Sequence, residues 1–383
     1  MSSKMTFLFG VPMVVGGCAI LWMFWDRLKK PPKKKIFISA DCWLCVFDLL
    51  PPRQLGLGIA LISHRFDFYV DEHFKTRRWA LKFMEIWPKF EEHGAANEME
   101  IINSDSKSLP IPKKQLPKKV VGFKAISINY IDRNVIAFLH CFRPLFASFC
   151  PINLVIDVTS DRILDFIFRN IWPMLGKNIH DLELSTTSFH RLRQFAPSIL
   201  NECPLLRIVT FYATADLFPE FPCDDSAAAS DRQTVAKWLF TPLQSNVPKV
   251  LRSPLDMNDG FLASDDFEDF KSAFANASSP VNFIVVIRFS PSFATSVVPF
   301  ALTNELTREQ LALKRTAEHH DCFLLVRCPI ARDESKWTKW EEEEEEIYWH
   351  HHYYEWNRIE IEIYGDNHVG DGLLDEIPGP SDH

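Results

Sequence analysis

Three short apolar runs constrain this chain more than any other feature: INLVIDV from Ile152, IHDLELS from Ile179 and LLRIVTF from Leu205. They recur at intervals of roughly 25 to 28 residues, the signature of a repeated supersecondary unit. Segments of helical spacing, Asp161 to Leu175 and Phe189 to Glu202, follow the first two. A strand that returns to its neighbour through a helix must come back parallel, because a hairpin cannot make that connection. The helices then lie on the sheet, and no unit can bury its apolar face without the next. The chain therefore reads as α/β.

Further strands are expected at Val120 to Tyr130, Val281 to Phe289 and Cys322 to Ile330, with helices at Arg133 to Phe149 and Leu306 to His319. DDSAAASDRQTVAKWLF and DDFEDFKSAF each read as a capped helix. The acids Asp265, Asp266, Glu268 and Asp269 lack the spacing and glycine of a calcium loop and suit a helix start instead. With 32 Phe and 11 Trp against 13 Gly, the chain can bury large surfaces but is poorly supplied for glycine-rich phosphate loops. GxSxG, P-loop, GxGxxG and HExxH signatures are missing, as is PCxxC with an upstream HxE. The reading is of a protein that is no enzyme, with no catalytic residues, no cofactor and no metal. A net charge of −8 gives no general attraction for nucleic acid, and none is expected as a partner.

Thr6 to Trp25 is a run of twenty residues without a charge, followed by DRLKKPPKKK. A helix of about 20 residues spans the roughly 30 Å hydrocarbon core of a bilayer. The basic flank lies behind the span, so the positive-inside rule predicts a single-pass membrane anchor with the body facing the cytosol. A cleaved signal peptide would carry its charge in front. The nine cysteines are irregularly spaced and fall largely in apolar runs, which predicts reduced, buried thiols rather than a disulfide framework. Cys42 and Cys45 form a CxxC, but no second pair stands at zinc-ribbon spacing, and three residues apart on one helix reads as ordinary packing. Asn276-Ala277-Ser278 is a glycosylation sequon that a cytosolic body would leave unused.

Five regions follow: the anchor and its basic flank at 1–35, a helical module at 36–90, a linker at 91–118, an α/β domain at 119–330, and an acidic and aromatic tail at 331–383, partly disordered. The linker assignment rests on NSDSKSLPIPKKQLPKK, with its prolines and lysines. In the tail, Glu341 to Glu346 reads as solvated surface, as do His350 to His352, whose adjacent imidazoles suggest at most weak metal capture. The alternation RIEIEIY suits a strand pairing with a sheet edge.

The module at 36–90 carries three short helices. Ser39 is a good N-cap for ADCWLCVFDLL, Pro51-Pro52 stops that helix, and two more fit Arg53 to Ala60 and Ile62 to Phe74. Its residues Ile38, Trp43, Leu44, Val46, Phe47, Leu49, Leu50-Pro51-Pro52, Gln54-Leu55, Ser63-His64-Arg65-Phe66 and Trp79 follow a loose pattern. That pattern resembles an F-box, the motif that docks a substrate receptor onto the Skp adaptor of a cullin–RING ubiquitin ligase. It departs in having Ile38-Ser39-Ala40 for the usual opening Leu-Pro, and in Gly56 and Gly58. SHRFDFYVDEHF is similar to F-box proteins of the expanded nematode type. The resemblance implies a substrate-recognition adaptor of an SCF-type ligase, whose partners are the Skp adaptor, the cullin and an unknown protein substrate. It implies docking through Trp43, Leu44, Phe47, Leu50, Pro51, Leu55 and Phe66. Leucine-rich stacks often follow an F-box, and the α/β repeats resemble a degenerate one, although LxxLxLxxN is only partly present. An ordinary layered α/β domain, and a membrane-tethered scaffold with no ubiquitin role, stay open as alternatives.

Overall fold

The computed structural model describes residues 38–50, 52–90, 96–103, 108–110, 116, 119–146, 151–212, 217–257, 262, 264–317, 319–347, 356–370 and 372–374. The chain divides into two compact units, with the boundary after Arg77.

The first unit is helical. Helix α1 (Ala40–Asp48) starts at Ser39, whose side chain accepts from the Cys42 amide, and α2 (His64–Thr76) starts at Ser63, whose side chain accepts from the Phe66 amide. Each serine thus satisfies an amide that has no partner inside its helix. Between them Pro52 to Ile62 runs in short helical turns. The turn Leu55–Ile59 is widened, with the Ala60 amide bonded to the Leu55 carbonyl five residues back. Phe47, Leu55 and Val70 form the buried core, and Trp43, Leu44, Leu50, Phe66, Tyr69 and Phe74 pack around it. Arg77 closes the unit by donating to the carbonyls of Phe47, Asp48 and Leu50 at the end of α1.

The second unit is mixed α/β around one large mixed sheet. The described strands are β1 (Trp79–Leu81), β2 (Met84–Phe90), β3 (Ala96–Asn103), β4 (Ser108–Pro110), β5 (Val120–Phe123), β6 (Ala125–Ile128), β7 (Ile152–Val158), β8 (Ile179–Ser185), β9 (Ile208–Tyr212), β10 (Lys249–Met257), β11 (Phe283–Phe289), β12 (Phe300–Asn304), β13 (Glu309–Arg315), β14 (Cys322–Pro329) and β15 (Arg358–Ile363). Thirteen of them form the large sheet, in the order β12-β13-β14-β11-β10-β9-β8-β7-β15-β6-β2-β3-β4. From β2 through β6, β15, β7, β8, β9 and β10 to β11 every pairing is parallel, while both flanks are antiparallel. Strands β1 and β5 pair separately. The repeat read in the sequence is β7, β8 and β9, which sit side by side in chain order.

Helices α3 (Arg133–Phe146), α4 (Asp161–Asn170), α5 (Thr186–Phe195), α6 (Asp231–Leu239) and α7 (Asp265–Ala275) contribute to one continuous core with the alternate strand residues Leu154, Ile156, Leu182, Leu184, Val209, Phe211, Leu251, Val285 and Ile287. The acids at the start of α7 are a helix beginning, capped by Ser264. Helix α8 (Glu334–Ile347) packs through Trp337 and Trp340 against Ile284, Val286, Leu324 and Val326, the other face of β11 and β14.

Several boundaries differ from those expected. The helical module ends at Arg77 and not at 90, because Met84–Phe90 alternates and joins the sheet as β2. The segment taken as a linker contains β3 and β4. Val120 to Tyr130 is two strands, with Lys124 between them and separate partners for each. Leu306 to His319 is not a helix. There β13 forms a hairpin with β12 around Asn304, whose side-chain oxygen accepts from the Leu306 and Thr307 amides, and Leu311 and Leu313 alternate inward. The described part of the tail is built into the fold: Glu344 on α8 is buried, and β15 lies inside the sheet between β6 and β7, not on an edge.

Candidate functional site

The helical unit was expected to present seven docking residues, and the structure separates them. Phe47 and Leu55 have no exposed surface and form the unit's own core, so neither is free to enter a partner's groove. Trp43, Leu44, Leu50 and Phe66 are half-buried against that core, with the Trp43 and Phe66 rings edge-on at 4.8 Å. Pro51 lies outside the described residues. The reason is helical geometry. Trp43, Phe47 and Leu50 fall four and three residues apart, and that stripe turns inward.

A second stripe turns outward. Cys42, Cys45, Val46 and Leu49 repeat at the same spacing on another face of α1, and all four are exposed. Leu57, Leu61, Ile62 and Phe68 add to the exposed apolar surface, with Leu49 at 84% and Leu61 at 77%. Burying a leucine side chain is worth about 1.5–3 kcal/mol, and this small unit leaves several apolar side chains in water. Val46 and Leu49 could have been found by asking which apolar residues of α1 the inward stripe leaves over. Leu57, Leu61 and Ile62 could not, because the turns at 52–62 depart from a regular helix.

The second unit has a largely polar sheet face, of which Ser127, Val155 and Arg252 are buried. Opposite the helix-covered face, Glu85, Ser127, Glu360, Val155, Glu183, Thr210 and Arg252 stand in register across β2, β6, β15, β7, β8, β9 and β10. Arg358 holds two of these acids, with Nε 2.5 Å from Glu360 and Nη2 3.6 Å from Glu183. Tyr364 donates to Asp157 at 2.9 Å, and the Tyr212 hydroxyl donates to the Ile156 carbonyl at 2.6 Å. Burial, then the neighbouring Glu360 and Asp157, raises the Glu362 carboxyl above its ordinary range. Burial and the bond to Asp157 push Tyr364 up to about 12, and burial with the charge of Asp157 raises Tyr212 as well. Neighbouring carboxylates resist ionising together, and Arg358 partly offsets that repulsion. At its far end Arg252 is sealed beneath α8, 2.6 Å from Glu344, with Asp181 at 3.8 Å.

No group of three or more His, Cys, Asp or Glu residues is placed to hold a metal ion among the described residues. His350 to His352 and the uncharged run 6–25 fall outside them. Among the described residues no helix is long and apolar enough to cross a membrane. Of the cysteines, Cys141, Cys203, Cys322 and Cys328 are buried as expected, whereas Cys42 and Cys45 are exposed, so packing does not account for the CxxC. No protein-family model, no curated protein and no solved structure matches this chain.

Proposed function

We propose that the chain is a substrate-recognition adaptor of an SCF-type ubiquitin ligase, with its helical unit seated on the Skp adaptor and its α/β unit offered to a protein target. The observation that carries this reading is the double-faced α1. One apolar stripe builds the core, and Val46 and Leu49 on the other stay in solvent together with Leu57, Leu61, Ile62 and Phe68. Helix-in-groove association uses apolar anchors of this kind. The docking set is therefore moved outward, from Phe47 and Leu55 to Val46, Leu49, Leu57, Leu61, Ile62 and Phe68, with Trp43, Leu44, Leu50 and Phe66 as half-buried support.

In the α/β unit, the chain-order parallel strands β7 to β11, with helices on one face, support a degenerate leucine-rich-repeat-like reading. The polar face bearing Asp157, Glu183, Glu360 and Glu362 is then the surface for a target. The protein supplies no chemistry of its own in this reading. It raises the effective concentration of the target near the charged ubiquitin carrier, which the cullin-bound subunits hold. Thr6 to Trp25 would confine that encounter to a membrane, with the body in the cytosol.

Co-purification of the full chain with the Skp adaptor tests the proposal. Wild type is expected to retain the adaptor, and Leu49→Asp with Leu61→Asp to lose it, because an unpaired carboxylate in an apolar groove costs a few kcal/mol. Both positions are exposed, so the variant keeps its fold and thermal midpoint. A folded wild-type chain that fails to retain the adaptor overturns the reading.

A further inference from the structure

Cys42 and Cys45 stand one turn apart on α1, both exposed, on the apolar stripe they share with Val46 and Leu49. They are more open than any other described cysteine: Cys141, Cys203, Cys322 and Cys328 are buried and Cys223 is half-buried. Cys42 is also held locally. Its amide donates to the Ser39 hydroxyl oxygen at 3.3 Å, and that hydroxyl donates to Cys42 Sγ at 3.2 Å. The first thiol is thus fixed at the start of the helix, and its partner projects from the next turn on the same side.

We propose that Cys42 and Cys45 form a reversible dithiol–disulfide modification site that takes low-molecular-weight disulfides. The thiolate of one cysteine attacks the S–S bond of a disulfide such as glutathione disulfide, forming a mixed disulfide and displacing one glutathione thiolate. The second cysteine's thiolate then attacks the protein sulfur of that mixed disulfide and displaces the other glutathione. Two protein thiols become one disulfide, one glutathione disulfide becomes two glutathione thiols, and the protons lost by the cysteines pass to them. No further oxidant is needed.

The helix sets the character of the bond. Residues three apart on a helix hold their Cβ atoms about 5–6 Å from each other, whereas a disulfide needs about 3.5–4.5 Å. Linking the pair draws the first turns of α1 together by about 1 Å or more, and a bond formed under strain is readily reduced. The site is therefore a reversible one, in contrast with a structural bridge.

Trypsin releases Ile36 to Arg53 as one peptide that contains these two cysteines and no other. The test incubates the full chain with glutathione disulfide, quenches with an alkylating agent, digests and weighs that peptide. Wild type is expected to yield a peptide lacking two hydrogens that takes up no alkylating agent, and reduced glutathione is expected to restore both thiols. In Cys45→Ser the resolving thiol is gone, so glutathione stays on Cys42. The adduct should be at least about tenfold more abundant there than in wild type, because the internal thiol outcompetes any in solution. Glutathione adducts equally abundant in wild type and Cys45→Ser, or a wild-type peptide alkylated at one cysteine and then the other with no linked form, overturn the proposal. Should the variant misfold, the linked mass in wild type decides alone, and its absence is a refutation.

Discussion

Lys249 offers the sharpest test of the packing in the α/β unit. It begins β10, is buried, donates to the Trp238 carbonyl, and places Nζ 5.0 Å from the centre of the Trp238 ring. Burial pulls its amine down to about 7 from the ordinary lysine value of 10.5. In the unfolded chain the amine keeps its proton up to the higher value. Between the two values the unfolded state therefore binds a proton that the folded state does not, and stability rises with pH through that window. The slope is at most about 1.4 kcal/mol per pH unit, or about 2 kcal/mol from pH 7 to 8.5. Below pH 7 both states carry the charge and the slope vanishes. Lys249→Met keeps the length of the side chain and removes the titration, and the Trp238 carbonyl retains the Thr241 amide as a donor. Urea unfolding of wild type and variant at intervals from pH 6 to 8.5 measures the difference. The variant should be the more stable at pH 6, with its advantage shrinking by about 2 kcal/mol by pH 8.5. Burial also pushes Cys322 and Cys223 up to about 11 and Cys203 up to about 12. Those thiols add stability below the unfolded thiol range that is lost at higher pH, but they are common to both proteins and cancel. A difference that stays constant across the range, or grows with pH, would refute the placement of Lys249 in a dry site.

Arg327 and Glu309 form an ion pair with no solvent exposure, 2.6 Å apart, and the guanidinium lies over the rings of Phe240, Phe274 and Phe283. Glu309→Leu strands that charge and should cost about 3–5 kcal/mol in denaturant unfolding, with Arg327→Met in the same background recovering most of it. Phe47→Ala empties the core of the helical unit and should cost about 3–5 kcal/mol, whereas Leu49→Ala on its exposed face should stay within about 0.5 kcal/mol by thermal unfolding. Glu344→Ala leaves Arg252 buried without its closest carboxylate, and hydrogen exchange should show α8 losing protection while β7 and β8 keep theirs. Asn276 is exposed at the end of α7 within a sequon, so translation into microsomes should leave it without a glycan if the body faces the cytosol, and a glycosylated product would reverse the topology.

The parallel order of β7, β8 and β9 could be read from the sequence because the first two strands each carry a complete signal, although no helix directly follows β9 among the described residues. INLVIDV and IHDLELS are apolar on the face that meets the helices, their helices follow at once, and the topology places β7, β8 and β9 in that order. The exposed apolar face of the helical unit was only half readable for a related reason. Apolar residues mark contact but not the partner: helical spacing separates the stripe of Phe47 from that of Leu49, but both are apolar, and spacing alone does not say which one meets the core. Only the direction of α2 and of the turns at 52–62 decides it, and that depends on pairs far apart in the chain, such as Arg77 with the carbonyls of Phe47 and Leu50. Leu306 to His319 misled because TREQLALKR has good helix formers, and a hairpin partner in β12 outweighed that local preference.

The most instructive displacement is β15. RIEIEI alternates strictly, which ordinarily marks a strand with one face in water, and such strands are expected at edges or in antiparallel sheets. Yet Arg358–Ile363 is flanked on both sides by parallel strands, β6 and β7. The contradiction disappears once the whole sheet is considered. Ile359, Ile361 and Ile363 join the core on the helix-covered face, and Arg358, Glu360 and Glu362 join the polar row with Glu85, Asp157 and Glu183 on the other. A parallel strand needs two apolar faces only where helices cover both, and here α8 reaches β11, β14 and the rim at Arg252. The alternation of β15 therefore records a property of the sheet and not of its own position. The polar row through the middle of a thirteen-stranded sheet is thus completed by β15, whose charged residues lie beside Asp157 and Glu183 rather than beneath a helix.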